Sequence, residues 1–299
     1  MIVSILRSSL PPILLLGLGY LGLQAAHTTH TTSSVPAGLR ILALASALKA
    51  DDPTQSLLQS AYRASDSAQR TETSSQAVLA RLQLDACVAA LMDLPDAKDF
   101  PWQEWFQTEK GRRPDVALRL FQAAHQAAPE SSLEWAIDLE KRTTPVSLRL
   151  EAHKVIWRED PMLAVQRGNR LVREAPRGTE HLHARYVSEV LAPAQSPLSN
   201  QILLAMAHRD GLESQARTLA IKVIVDRGRS ELAADMASIF RASTGDLVVR
   251  KRGLKAAVAL DPFLGKQVLM TDVPSEQDEP GLYNLVRELR IEMGLPPLP

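Results

Sequence analysis

The amino-acid sequence predicts an all-α fold, an α-solenoid of stacked helical hairpins behind an N-terminal hydrophobic segment. Helix-breaking residues recur at nearly constant intervals, with steps of 34, 32, 32, 35 and 34 residues. Stretches with an apolar helical stripe lie on both sides of each break, and almost no segment has the period-two alternation of strands. Repeats of roughly 20–50 residues are typical of stacked units, and at this length the unit is a helix pair. The breaks are Pro95, Pro129, Pro161, Pro193, Gly228 and Pro262.

The first 26 residues have the pattern of a targeting segment. Leu10 to Ala26 is an apolar run of 17 residues without a charge, and Arg7 is the one charge that precedes it. Such a run, followed by small residues, is typical of a secretory signal, and its length is at the lower limit for a membrane span. We therefore expect residues 1–26 to be a signal peptide or membrane anchor and residues 27–36 a polar linker. The body would be exported, either periplasmic or anchored in the inner membrane; the alternative is a packed N-terminal helix.

The rest of the chain divides into three predicted segments. Residues 37–75 form an N-terminal helical cap (38–49 and 53–64) followed by a polar loop at 65–75, and residues 76–271 hold the repeats. Residues 272–299 form an acidic connector, a capping helix at 282–293 and a proline-rich tail. Within the repeats, helices are predicted at 76–92, 102–109, 114–127, 131–141, 146–158, 162–173, 179–190, 198–208, 212–226, 230–242, 246–259 and 263–270.

Composition argues against several classes of function. Lys plus Arg equals Asp plus Glu at 34 each, so no global field favours nucleic acid as a partner. The single cysteine, Cys87, excludes an intrachain disulfide and a cysteine-based metal cluster. Its apolar neighbours at helical spacing predict a buried structural thiol.

Motif searches predict neither a catalytic residue nor a cofactor. A literal GxGxxG runs from Gly17 to Gly22, but it lies inside the apolar targeting segment rather than between a strand and a helix. The histidine pairs His27/His30 and His181/His183 lack the spacing that metal ligands prefer on one helix. The sequence also lacks GxSxG, HExxH, a Walker loop and CxxC. We therefore expect a protein without enzymatic activity.

Three of the repeats share a pattern of small residues. The spacing is Ala117-x3-Phe121-x2-Ala124-x4-Pro129, Leu254-x2-Ala257-x4-Pro262 and Ala216-x3-Ala220-x2-Val223-x4-Gly228. This pattern resembles that of tetratricopeptide-repeat proteins, and Trp135 falls where the next unit of that family would have a tryptophan. The resemblance covers residues 83–262 and implies helical hairpins whose first helices line a concave groove. The units that end at Pro161 and Pro193 depart from the pattern, which leaves HEAT-like helical repeats as the alternative.

Two clusters are candidate partner contacts. Trp102, Trp105 and Phe106 lie at i, i+3 and i+4, so one helical face carries all three, either as a core anchor or as a contact surface. Arg167, Arg170 and Arg173 fall within about 120° of one helix. They form either a solvated face or a charged strip in the groove.

These observations favour a non-enzymatic, exported or membrane-anchored scaffold or adaptor that binds a protein or peptide in its concave groove. One alternative is an accessory or catalytic component of cell-envelope polymer metabolism. Another is a structural subunit of a larger membrane complex.

Overall fold

The computed structural model describes residues 35–70, 73–141, 143–174, 181–242 and 245–298, and this part of the chain is all-helical. No described residue belongs to a β-strand, so the predicted all-α class is confirmed. The chain separates into two compact units, Met1–Arg149 and Leu150–Pro299.

The described residues of the first unit include six α-helices: α1 (Ala37–Ala47), α2 (Pro53–Arg70), α3 (Ser74–Leu91), α4 (Trp102–Glu109), α5 (Pro114–Ala127) and α6 (Pro129–Leu139). Helix α7 (Val146–Glu159) includes the boundary between the units. The second unit continues with α8 (Pro161–Arg173), α9 (Leu182–Tyr186), α10 (Ala192–Ala194), α11 (Pro197–His208), α12 (Ser214–Asp226), α13 (Ala233–Arg241), α14 (Leu247–Leu260), α15 (Pro262–Thr271) and α16 (Pro280–Glu292).

Three of the predicted breaks mark helix starts, whereas Pro95 and Gly228 lie in turns. Pro129, Pro161 and Pro262 each occupy the first turn of their helix, where the missing N–H leaves no hydrogen bond unmade. The aspartates before two of them are N-caps. Asp160 accepts a hydrogen bond from the backbone N–H of Leu163, and Asp261 accepts two from its own helix. The near-constant proline spacing therefore reflects the spacing of helix starts.

Pro193 lies neither at the start of a long helix nor in a turn between helices. It lies in α10, directly after a π-helical turn at Val187–Leu191, and the chain turns only at Gln195, which has a φ of 43°. A π turn has i→i+5 hydrogen bonds, so the helix changes its register just before the residue that cannot donate one. The predicted helix 179–190 is corrected accordingly: its described part starts at Leu182 and the helical segment extends to Ala194.

An aromatic cluster forms part of the core of the first unit. Trp102 and Phe106 are 1% and 0% exposed, and the Phe106 ring centroid lies 5.5 Å from that of Phe121 and 6.0 Å from that of Trp135. The indole N–H of Trp102 donates to the carbonyl of Ala97 over 2.7 Å. The core-anchor interpretation therefore applies to these two side chains. The alternative, that Trp102 and Phe106 contact a partner, is wrong because neither reaches the surface.

The predicted loop at 65–75 is wrong over most of its length, because α2 continues to Arg70 and α3 begins at Ser74. Ser65 is fully buried, and its hydroxyl donates to Asp115 over 2.8 Å. Asp66 accepts two hydrogen bonds from the guanidinium of Arg113, at 2.7 and 3.0 Å. These partners on and next to α5 stabilise polar residues in a helical conformation that their local sequence does not favour.

Several helices of the second unit pack on their neighbours in the chain, and α8 packs on α11. Helix α11 packs on α12, α13 on α14, and α14 in turn contacts α12, α15 and α16. Close approach of the helices requires glycine at two places. A Cβ on Gly253 of α14 would lie 2.9 Å from the carbonyl oxygen of Met236, and one on Gly265 of α15 would lie 2.8 Å from the Cα of Val258.

The predicted targeting segment, residues 1–26, and most of the linker 27–36 lie outside the described residues. None of the helices in the described ranges is both long enough and apolar enough to span a membrane.

Candidate functional site: a basic cleft in the second unit

An open cleft of about 610 Å³ lies between α12, α14 and α16 of the second unit. Helix α14 contributes Val248, Lys251, Arg252 and Lys255, which stand at i, i+3, i+4 and i+7 and so share one face of the helix. The other two walls add polar and apolar side chains, among them Leu219, Lys222, Asn284, Leu285 and Glu288.

The sequence of α14 determines which face points into the cleft. Asp246 caps the helix by accepting hydrogen bonds from the N–H groups of Val248 and Val249. The buried stripe on the other side includes Val249, Leu254 and Ala257. Burial of this apolar stripe leaves the face with the lysines and Arg252 toward solvent, as expected for an amphipathic helix.

The cations of this face are not neutralised within the described part of the chain. There, no ion pair involves Lys251, Arg252 or Lys255. Nearby cations do have partners: Lys222 pairs with Asp226, and Arg250, on another side of α14, pairs with Glu279. Of the cleft-lining residues that the structure describes, Glu288 is the acidic one, so the cleft carries an excess of positive charge.

The N-terminal end of α16 adds to the positive charge of the cleft. Lys251 lies against Gly281 in the first turn of α16, where a Cβ on the glycine would be 3.0 Å from the lysine Nζ. Glu279 is the N-cap residue of this helix, and its side chain makes no capping hydrogen bond. Because the N-terminal end of a helix carries a partial positive charge, Lys251 and the helix both favour an anion at this place.

A second cavity, of about 490 Å³, contains Arg227. Its guanidinium donates to the side chains of Ser199 and Asn200, at 2.8 and 2.6 Å, and to the carbonyls of Leu191 and Ala192. Burial, and then the charge of Arg229, lower the pKa of Arg227 from its ordinary value. The four contacts hold the end of the π turn, so Arg227 has a structural role.

The first unit contains a polar cluster around Arg113, whose guanidinium binds Asp66 and Glu109. The hydrogen bond from Arg113 is the main reason why the pKa of Asp66 lies below its ordinary value. Burial, and then the charge of Glu109, raise the pKa of Tyr62, whose ring lies 5.0 Å from the guanidinium carbon. A carboxylate held ionised by an arginine is a poor general acid, so we interpret this cluster as a tie between α2, α4 and α5.

None of the site residues predicted from the sequence lines the cleft. Trp102 and Phe106 are in the core of the first unit, and Trp105 is half-buried beside Trp102, with ring centroids 5.3 Å apart. On α8, Arg170 and Arg173 are exposed, whereas Arg167 is half-buried.

The sequence does not indicate the cleft as a site because its three walls come from helices far apart along the chain. One signal was present, since α14 contains four basic residues and no acidic residue. The excess of basic residues on this one helix indicates the basic face, whereas its apolar pattern indicates only a packed helix.

Comparison of the chain with family models, with curated proteins and with solved structures gives no match.

Proposed function

We propose that the protein is a non-enzymatic helical-repeat scaffold, whose second unit is a short tetratricopeptide-like α-solenoid that binds a segment of a partner protein. The observation that carries the binding role is the basic cleft, where Lys251, Arg252 and Lys255 form no ion pair within the described part of the chain. Repeat scaffolds bind through side chains from several units that are already in place, which reduces the ordering cost of association.

A recurring register supports the solenoid. Glu213, Asp246 and Glu279 are the N-cap residues of α12, α14 and α16, and they stand 33 residues apart. Polar contacts join neighbouring starts: Ser214 donates to Asp246, and Arg250 binds Glu279.

The ends of the preceding helices repeat in the same way. The Nε of Arg217 donates to the carbonyl of Ala207 over 3.0 Å, and the Nε of Arg250 donates to that of Phe240 over 2.8 Å. Both arginines and both acceptors are again 33 residues apart. Equivalent residues that make equivalent contacts are what a stack of repeated hairpins requires.

The same proposal includes export. The apolar run from Leu10 to Ala26, with its single preceding charge at Arg7, supports a body that lies outside the cytoplasm, periplasmic or anchored in the inner membrane. A C-terminal fusion to a reporter that is active only in the periplasm should be active. A reporter that fluoresces only in the cytoplasm should stay dark, and the opposite pattern contradicts export.

Affinity purification of the full chain with a C-terminal tag, from its native cells, tests the scaffold role. We expect one protein to co-purify in near-stoichiometric amount and to be released as salt is raised. Purified chain and partner should then form a complex in analytical ultracentrifugation. If no protein reaches stoichiometric recovery under cross-linking, the scaffold function is wrong.

A parallel purification distinguishes two surfaces of the second unit. Arg170→Gln with Arg173→Gln changes the exposed part of the arginine strip on α8, the predicted contact in the concave groove. Lys251→Glu with Lys255→Glu changes the cleft. The variant that loses the partner identifies the contact surface. Thermal unfolding should change little in both, because three of the four side chains are exposed, Lys251 is half-buried, and such charges add little to stability.

A further inference from the structure

We infer that the basic cleft binds an acidic, extended segment of a partner protein, with carboxylates at alternate positions and at least one apolar side chain. This inference rests on the proposed scaffold function and adds the chemistry of the partner. Its basis is the arrangement of charge, spacing and apolar surface within the cleft.

The spacing of the cations fits an extended chain. Lys251 and Lys255 are four residues apart on α14, and a rise of about 1.5 Å per residue separates them by about 6 Å along the helix axis. In an extended peptide, side chains on one side repeat every second residue, which is about 6.6–6.8 Å. Two carboxylates at alternate positions can therefore meet the two lysines together, with Arg252 available for a third acceptor.

The cleft also has an apolar lining, which favours a ligand with an apolar side chain. Leu219, Val248 and Leu285 line it, and Val248 is 60% exposed. An apolar side chain of the ligand would remove this surface from water. The amide of Asn284 can both donate to and accept from a peptide backbone.

The same lining argues against a polyphosphate, a nucleic acid or a lipid surface. No aromatic side chain lines the described cleft, so bases have no stacking platform there. Glu288, which also lines the cleft, would repel a dense row of phosphates. Because the whole chain has no net charge, a long polyanion also gains nothing from the rest of the surface.

The experiment is a selection of random peptides displayed on phage against the immobilised full chain. Three forms are compared: the native sequence, Lys251→Glu with Lys255→Glu, and a control, Lys266→Glu with Arg287→Glu. The control has the same charge change at exposed positions outside the cleft. We expect acidic peptides with an apolar residue to be enriched on the native and control forms and lost on the cleft variant.

Fluorescence anisotropy of the most enriched peptide gives the size of the effect. Its affinity should fall by roughly tenfold or more in the cleft variant, since charge-assisted hydrogen bonds are the stronger ones in proteins. It should also fall as salt is raised, and a version with Gln in place of its acidic residues should bind weakly. Circular dichroism and urea unfolding check that both variants fold; if the glutamates unfold the chain, Lys251→Gln with Lys255→Gln replaces them.

Several outcomes overturn the inference. They are selected peptides without enriched acidic residues, equal binding to the cleft variant, and displacement of the peptide by a single-stranded oligonucleotide or by phosphatidylglycerol vesicles at equal charge concentration. If a stoichiometric partner still binds the cleft variant, the scaffold function stands and the inference about the cleft is wrong. If acidic peptides bind the cleft but no cellular partner is recovered, the cleft has the inferred specificity and the scaffold function is wrong.

Discussion

The Nε of Arg217 lies 3.0 Å from the carbonyl oxygen of Ala207, which belongs to the last turn of α11. Arg217 is 4% exposed, so this contact is inside the second unit. The last four carbonyls of a helix have no partner within the helix, and a buried carbonyl left without one is costly. Arg217, which belongs to α12, therefore supplies a hydrogen-bond donor to the C-terminal end of α11.

Arg217→Met should destabilise the protein by about 1.5–3 kcal/mol, because it removes a buried hydrogen bond from a charged donor. The free energy of unfolding in urea measures this change. Arg209 offers a matched control, since it donates to the carbonyl of Arg173 at an exposed site. Arg209→Met should lower the free energy of unfolding much less. Equal decreases in the two variants would show that burial does not determine how much the Arg217 hydrogen bond contributes to stability.

Gly253→Ala should also lower stability. The added methyl group would lie 2.9 Å from the backbone oxygen of Met236, so α13 and α14 must move apart. Overpacking of this kind costs about 1–3 kcal/mol, against which the higher helix propensity of alanine returns at most about 1 kcal/mol. In Gly111→Ala the methyl group meets nothing within 4 Å, and the unfolding midpoint should be nearly unchanged. A midpoint for Gly253→Ala at or above the native one would contradict the close approach.

Stability should fall on acidification because of His183. This side chain is 1% exposed, its Nε2 donates to the carbonyl of Leu171 over 3.2 Å, and burial lowers its pKa from the ordinary value. Glu213 and Glu174 oppose this lowering, and Arg209 adds to it. Below about pH 6.5 the unfolded chain therefore binds a proton before the folded one does, which destabilises the folded state as pH decreases.

Urea unfolding of the native chain and of His183→Gln between pH 7.5 and 5 tests this linkage. The variant should lose less stability on acidification, with a difference in slope of at most about 1.4 kcal/mol per pH unit. Identical slopes in the native chain and in the variant would show that His183 does not contribute to the acid response.

Cys87 should be unreactive while the protein is folded. The thiol is 6% exposed, and burial raises its pKa to about 11, so little thiolate is present at pH 8. Ellman's reagent should give one equivalent of thiol in urea and close to none under native conditions. Fast labelling of the native chain would indicate that α3 opens locally.

Local signals explain which helices could be predicted. Helices α4 and α5 begin and end at the predicted residues, 102–109 and 114–127. Pro101 stands just before α4 and Pro114 begins α5, and a proline at a helix start needs no tertiary partner to act. By contrast, Ser65 and Asp66 are helical because Asp115 and Arg113 bind them. No pattern within ten residues of Ser65 contains that information.

The sequence by itself determined the all-α class and the positions of most helix starts, because caps, prolines and apolar stripes act over a few residues. Tertiary structure decided which of the charged faces form a site. Lys222, Lys251 and Asn284 lie in three different helices, and they share one cleft only because α12, α14 and α16 pack side by side. It also decided that Trp102 and Phe106 belong to the core, since helical spacing places residues on one face without stating what covers that face.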